Sequence, residues 1–408
     1  MSETPTNLNE TDIPENATIQ SVSDVPVSEK PVPEKPKKKW KTTVFWIVVF
    51  VICAASLLFI ILKDFVFNPN KPPPGEISST LGQVIRQNWY YLFIAIGCCA
   101  AYFVFQSLVY AVMMHKFTGK PRFGLCLATT MLGTFYDGAT PFATGGQPFQ
   151  IAYLQKHKVP EGTSITLPMV EYTLDRFVFV LFSIAAIIIC AVNVFGPNAI
   201  ILGVSYDIRI ALYTTAAVGI ALNFAFPFLM ILALFSKKAC GALTRFAVKT
   251  AKFFRLTKNP DKLYERIMSK LEANIECMKQ FSKRKRLYLC ILITIVERLF
   301  MASVGYFVIK AFGYSSPHGW GWAEIVVLSF IIMNSVSFIP TPGSSGAADF
   351  TFYGVFYTAL SATGAAGVAS LATISWRVIS FYLPLLIGLF YVLAISSSSR
   401  KKKPYILK

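Results

Sequence analysis

Hydrophobic positions fall along this chain in long blocks rather than in short alternations. Apolar runs of about twenty residues or more cover 43–62, 89–114, 168–195, 208–235, 287–312 and 367–395. Each is long enough to cross about 30 Å of hydrocarbon as a helix, so six spans are predicted. Two further segments are too apolar for surface loops and too rich in helix breakers for plain spans. The first, 123–154, runs from FGLCLATTMLGTF into DGATPFATGGQPF, and the second centres on SFIPTPGSSGAADF at 337–350. Irregular backbone at membrane depth survives only where it is buried in protein or lines a wet cavity, because unpaired N–H and C=O groups cost several kcal/mol in hydrocarbon. Both segments therefore read as re-entrant helical hairpins whose polar tips face an internal site. A helix kinked by proline and glycine, without a ligand, is the plainer alternative.

The polar positions orient the spans. Lys and Arg gather in 115–122, 154–158, the 236–286 loop with fifteen of them, and the tail 400–408, whereas 196–207 and 314–322 contain none. Basic segments are expected on the cytoplasmic side. Trp89, Tyr90, Tyr91, Trp320 and Trp322 then fall at the outer interface, where amphipathic rings belong. Both flanks of the first hairpin are basic, so it opens from the cytoplasm; by the same count the second opens from outside, and the tips oppose each other. Residues 1–42, rich in Glu, Asp, Ser, Thr and Pro, are expected to be a disordered cytoplasmic tail that ends in Lys37, Lys38, Lys39 and Lys41. On that side the glycosylation sequon at Asn16 is idle. No signal-peptide cleavage pattern precedes 43–62, which therefore stays as a span. The transmembrane domain is 43–397, and 398–408 is a basic cytoplasmic tail.

Composition agrees with this reading. At 54% hydrophobic and 14% aromatic residues with mean hydropathy +0.53, the chain is far more apolar than a soluble domain. The +18 formal charge raises the question of nucleic acid, but its placement between apolar runs is what membrane topology requires, and no nucleic-acid partner is expected. Eight cysteines, mostly inside spans, show neither ligand spacing nor a small-domain context. They read as small apolar residues, and no metal or cofactor is expected.

The two halves of the chain resemble each other. TPFATGGQPF (140–149) and TPGSSGAADF (341–350) share Thr, Pro, Gly and Phe at the same four positions, and Arg176 and Arg377 each lie 36 residues beyond the Thr of their tip. The order in each half is span, span, hairpin, span, and the halves start on opposite sides. The predicted fold is thus an all-α polytopic membrane protein: six full spans plus two opposed re-entrant hairpins in an inverted 3+3 repeat, about 43–195 and 208–395. Secondary transporters of this architecture place their sites at the repeat interface.

Candidate chemistry collects there. Half-helices are predicted to begin near Gln147 and Pro148 and near Ala347, and their N-terminal N–H groups suit an anionic oxygen. Arg176 and Arg377, eight to ten residues inside their spans, match phosphate bidentately. Thr140, Thr144, Gly145, Gly146 and Gln147 on the first tip, with Thr341, Gly343, Ser344 and Ser345 on the second, complete the candidate lipid-headgroup site. Asp137, Glu171, Asp175, Glu297 and Asp349 are candidates to receive an amine or a proton. Glu171 and Asp175 share a helical face, so Arg298, Arg176 or an incoming amine must supply positive charge. A purely structural pairing of Arg176 with Asp137, Glu171 or Asp349 stays open.

At these residues, TPFATGGQPFQ followed by YLQKHKVP and later FIPTPGSSGAAD, the chain resembles the flippase-like membrane region of the lysylphosphatidylglycerol synthase family. The resemblance covers about 43–397; Ser344, Ala347 and Asp349 depart from the pattern, which has more glycine and a glutamate there. It implies translocation of an anionic or aminoacylated phospholipid, such as lysyl-phosphatidylglycerol, across a bacterial plasma membrane, and a contribution to cationic-peptide resistance. Membrane phospholipids are the expected partners, with a separate lipid-modifying synthase and a homo-oligomer left open. No counterpart of the family's soluble transferase domain is expected in this sequence, since 236–286 is too short and about thirteen residues follow the last predicted span. The rival readings are a phosphatidylglycerol lysyltransferase using lysyl-tRNA, translocation of a polyprenyl-phosphate-linked sugar, and an ion channel with a TGG carbonyl filter. The basic loop itself reads as amphipathic helices lying on anionic headgroups.

Overall fold

The helix boundaries follow the helix breakers. The computed structural model describes residues 84–140, 145–197, 199–235, 284–316 and 319–401, with scattered positions in 75–82 and 241–265. The tail 1–42, the span predicted at 43–62, most of the 236–286 loop, residues 402–408 and the tip positions 141–144, Thr144 among them, lie outside the described residues. All regular structure among the described residues is helical. After a π-helical turn at Val84–Asn88, α1 (Trp89–Thr118) runs to Gly119, whose φ of 70° is left-handed backbone that only a residue without Cβ adopts freely. Next come α2 (Phe123–Ala139) and α3 (Gly146–Lys156), separated by the first TP segment, then α4 (Glu161–Ala191) and α5 (Tyr206–Phe235). Beyond the basic loop lie α6 (Arg284–Ala311), α7 (Gly321–Val336) and α8 (Ala347–Ser361), the last two separated by the second TP segment. Finally α9 (Ala369–Arg377) continues through a π-helical turn at Val378–Tyr382 into α10 (Leu383–Lys401).

Five stretches are long and apolar enough to cross a membrane: Arg86–His115, Glu161–Ala191, Tyr206–Ala225, Lys285–Ala311 and Ala369–Ile395. Each coincides with a predicted run, and the remaining run lies outside the described residues. One boundary moves. The third run was placed at 168, yet α4 begins at Glu161 and carries Pro168 inside it, because Pro160 ends the preceding turn and Glu161 sits favourably at the positive end of the helix. Helices α2, α3, α7 and α8 have 17, 11, 16 and 15 residues. At 1.5 Å per residue they reach about 17 to 26 Å, less than the hydrocarbon thickness.

The most extensive helix contact is between α1 and α6. Around it, α1 packs on α2 and α6 on α7; α3 packs on α4 and α8 on α9; α2 packs on α10 and α7 on α4. Helix α5 lies on α4 and α7. The interior is apolar, with Tyr110, Phe352 and Phe356 fully enclosed, while the outer faces of α1, α4, α5 and α10 also present large apolar side chains such as Phe93, Leu181, Leu222 and Phe390. A helical surface apolar on both sides suits lipid on the outside.

The α5–α7 contact depends on Gly219, where a Cβ would overlap the Asn334 carbonyl of α7. At Gly97 on α1 a Cβ would meet nothing within 4 Å. Gly219→Ala is expected to cost about 1–3 kcal/mol through overpacking, lowering the melting temperature of the detergent-purified protein by several degrees. Gly97→Ala should leave it unchanged or slightly raised. Equal melting temperatures for the two variants would mean that α5 and α7 are not in close contact.

Candidate functional site

The breaks between α2 and α3, and between α7 and α8, are held by side chains drawn from their own neighbourhoods. At the first, Thr140 donates through Oγ1 to the Tyr136 carbonyl (2.8 Å) and accepts from the Gly145 N–H (3.0 Å). The Asp137 Oδ1 accepts from the Gly146 N–H at 2.7 Å. At the second, the backbone turns left-handed at two successive residues, Gly343 (φ 59°) and Ser344 (φ 52°), and again at Gly346 (φ 88°). A Cβ at Gly343 would overlap the Phe381 ring, so glycine is required there by space as well as by φ. Thr341 Oγ1 donates to the Ser345 carbonyl (3.0 Å), and the Gly346 N–H donates to Asp349 Oδ2 (2.9 Å). A carboxylate therefore meets a leading N–H of each second half-helix, Asp137 from the preceding helix in one case and Asp349 from the same helix in the other.

Arg377 completes the second tip. Its Nη2 donates to the Gly343 carbonyl (2.7 Å) and to Ser345 Oγ (2.9 Å), and its Nε lies 3.0 Å from Asp349 Oδ1. Both members of that ion pair are fully enclosed, at 2% and 0% exposure. Arg176 does something different. It bonds its sequence neighbour Asp175 (Nε to Oδ2, 3.1 Å) and reaches Asn223 on α5 (3.3 Å), keeping 24% of its side chain exposed. Arg298 on α6 pairs closely with the other oxygen of Asp175. One carboxylate thus accepts two guanidiniums and ties α4 to α6. Asn223 extends the network to Asn334 Oδ1 (3.1 Å) and Ser337 Oγ (2.9 Å), and Asn334 bonds Ser183.

These groups surround two adjoining cavities of about 260 and 200 Å³. The first is lined by Arg176, Arg298 and Arg377 with Ser329, Ser337, Ser344 and Ser380, and no carboxylate is among its described lining residues. Aromatic rings flank the guanidiniums. Phe179 stands between Arg176 (5.5 Å) and Arg298 (5.0 Å), and Phe381 lies 4.2 Å from Arg377. Such contacts stabilise a cation in a dry setting. The second cavity is lined by Asp137, Glu171 and Asp175, with the amides and hydroxyls of Gln106, Gln147, Gln150, Thr130 and Thr134. Glu171 is held there by Gln106 Nε2 (2.9 Å) and Tyr110 OH (3.3 Å). The two cavities share Tyr102, Arg176, Met301, Ser380 and Phe381. Arg176 stands at the partition.

Of the residues predicted from sequence, Arg176, Arg377 and Ser344 line the cationic cavity, and Asp137, Gln147, Glu171 and Asp175 line the acidic one with Arg176. Thr140, Gly145, Gly146, Thr341, Gly343 and Ser345 lie at the breaks and are engaged in the tip bonds described above. Asp349 and Glu297 are enclosed and line neither cavity; Thr144 is outside the described residues. The expectation that the two half-helix N-termini await an anion meets a geometric obstacle, since Asp137 and Asp349 already occupy the Gly146 and Gly346 N–H groups. Arg298 is the main residue that sequence reasoning undervalued, treating it only as a counter-charge. Its signal was present, for an arginine in the middle of an apolar run marks a site by default. Asn223 and Ser337 carry no comparable signal, being small polar residues without a recognisable spacing.

Removing one partner of a buried ion pair typically costs about 3–5 kcal/mol. Asp175→Asn and Arg298→Gln should each lower thermal stability by such amounts, and the double variant should lose clearly less than the two losses added. Strict additivity in that double-mutant cycle would dissolve the α4–α6 tie.

No curated protein matches the chain. The model of the lysylphosphatidylglycerol synthase TM region matches residues 77–388, three quarters of the chain, running from before α1 into α10 and including both breaks and both cavities. With that match and five helices fit to cross a bilayer, the chain is a multi-pass membrane protein that belongs to the lysylphosphatidylglycerol synthase TM region family.

Proposed function

We propose that this protein moves the headgroup of a phospholipid that carries both a phosphodiester and an amine, of the aminoacylated phosphatidylglycerol class, between the leaflets of a bacterial plasma membrane. The observation that carries this reading is the division of the buried space by charge. A compartment walled by three guanidiniums, of which Arg176 stays a quarter exposed, and by four serines, with no carboxylate among its described lining residues, suits a phosphodiester, because arginine binds such oxygens in pairs. The adjoining compartment, with Asp137, Glu171 and Asp175 among amides, suits an ammonium. A headgroup bearing both charges bridges the two across Arg176, while its acyl chains stay in lipid. Together the compartments are of the size that small-molecule sites have.

The architecture that goes with this function is six spans and two opposed re-entrant hairpins in an inverted 3+3 repeat, with both termini cytoplasmic. Three features support it. The four helices beside the breaks are too short to span alone, the breaks fall at matching TP segments, and the packing pairs recur between halves: α1–α2 with α6–α7, α3–α4 with α8–α9, and α2–α10 with α7–α4. Placing cationic lipid in the outer leaflet lowers the attraction of that surface for cationic peptides. A separate lipid-modifying synthase supplies the lipid in this scheme.

The test is a leaflet-resolved assay in proteoliposomes offering lysyl-phosphatidylglycerol, plain phosphatidylglycerol and a polyprenyl-phosphate-linked sugar. Lysyl-phosphatidylglycerol should move fastest. Arg176→Gln, which removes a charge-assisted contact worth about 1.5–3 kcal/mol, should slow it roughly ten- to a hundredfold. Arg176→Lys should fall between, having lost the planar fork. Unchanged movement by a stably folded Arg176→Gln protein would falsify the headgroup assignment, and preference for the polyprenyl substrate would redirect it to phosphate recognition alone.

A further inference from the structure

The charges around the acidic compartment do not balance. Asp137, Glu171 and Asp175 line it and Glu297 stands close by on α6, and these four carboxylates are faced by two guanidiniums, those of Arg176 and Arg298. The remaining pair, Arg377 and Asp349, is spent on itself at the second tip. Glu297 is the least served of the four. It is 1% exposed, its Oε1 has no hydrogen-bond partner, and it lies within electrostatic range of Asp175, Glu171, Arg298 and Arg176. Among the described residues, the elements packed on α6 add no counter-charge that meets it. From α1 come Tyr102, whose ring lies 5.8 Å from the Arg298 guanidinium, and Tyr110, which donates to Glu171; Arg86 precedes the helix. From α4 come Glu171, Asp175 and Arg176, from α7 only Glu324, which is committed to the Ile200 N–H, and from α9 only Arg377. None neutralises Glu297.

A buried ionised carboxylate without a compensating charge takes up a proton instead. Resting on the substrate reading above, we propose that Glu297 and Glu171 carry exchangeable protons and that the lipid ammonium, on entering the acidic compartment, displaces one of them toward the opposite leaflet, so that transport is an amine-for-proton exchange. Charge is conserved in the step: one ammonium enters, the Glu297 O–H gives up its proton to water, the Glu171 proton passes to Glu297, and the Glu171 carboxylate left behind pairs with the ammonium. The cluster carries the same charge in the empty, protonated state and in the loaded state. A state with neither proton nor amine leaves a buried carboxylate uncompensated and is disfavoured, which is what couples the two movements. Glu297 does not line the compartment, so its part is to hold the proton while Glu171 meets the amine.

The experiment uses the full chain in proteoliposomes with a pH dye inside, lysyl-phosphatidylglycerol in one leaflet and membrane voltage clamped at zero. For one-for-one exchange, each pH unit imposed across the bilayer should shift the final leaflet ratio of the lipid about tenfold. The dye should report proton movement opposite to the lipid, with no signal when plain phosphatidylglycerol replaces it. Glu297→Gln should abolish both the proton signal and the response to the gradient, whatever lipid movement it retains. Lipid movement that ignores the gradient and a protonophore overturns the exchange while leaving lipid transport standing, and full coupling in Glu297→Gln overturns the assigned carrier. Should Glu297→Gln fail to fold, the wild-type gradient and protonophore arms decide alone. Absence of any lipid movement removes the transport reading and this inference with it.

Discussion

The Asp175 carboxylate, shared between Arg176 of its own helix and Arg298 of α6, is the interaction on which the rest of the site depends. Hydrocarbon supplies no hydrogen bonds, so every charge placed there must be answered from within the protein. One carboxylate answering two guanidiniums does this with a charge to spare on the cationic side. Within that triad the surplus lies with Arg176, which stays a quarter exposed on the wall between the two cavities. The shared carboxylate also sets the distance between α4 and α6, and α6 in turn is packed along α1. The central helices are thereby placed by a polar contact that their apolar faces, which are interchangeable with lipid, do not specify.

The two halves of the chain use the same parts unequally. Arg377 is spent on its tip, reaching a carbonyl, a hydroxyl and Asp349, all enclosed. Arg176, at the matching offset from its own TP segment, turns toward Asp175 and Asn223 instead, and remains a quarter exposed at the partition between cavities. The first tip meets its leading N–H with Asp137, a residue that also lines the acidic cavity. In the second half the carboxylate and the arginine cancel where they stand; in the first they stay apart, Asp137 on its tip's N–H and Arg176 on the wall that the two cavities share. The two tips, similar in sequence, are thus fastened differently, the first bordering the acidic cavity through Asp137 and Gln147 and the second the cationic one through Ser344.

Much of this was legible in the residues. Span lengths are written in hydropathy because the bilayer imposes a fixed thickness, and the two breaks are written in Thr-Pro and Gly because those residues interrupt the helical hydrogen-bond ladder. Start positions near Gln147 and Ala347 came within a residue of α3 and α8. The pairings were less legible. Nothing in spacing says that Asp137 reaches Gly146 or that Asp349 turns back on Gly346, since both depend on the path of the backbone through the break. Helix α4 begins seven residues before the apolar run at 168 because its first two turns are largely polar and hydropathy does not register them, and a helix held among others tolerates the N–H lost at Pro168. Glu297 could be listed from sequence only as one carboxylate among five; that it lies off the cavity follows from which face of α6 turns toward α4.

That last point governs how the compartments can work together. Arg176 belongs to both linings, so a phosphate drawn to the cationic side and an ammonium drawn to the acidic side act on the same side chain from opposite directions. A ligand with phosphate alone adds a negative charge beside Arg176 and competes with Asp175 for it. A ligand with an amine alone adds a positive charge next to Arg176 and is repelled by it. Only a headgroup carrying both leaves the shared arginine and its Asp175 partner in electrostatic balance, since each added charge is offset by the other across a few ångströms of low-dielectric space. On the function proposed above, selectivity for a doubly charged headgroup follows from placing one guanidinium on the wall between two rooms.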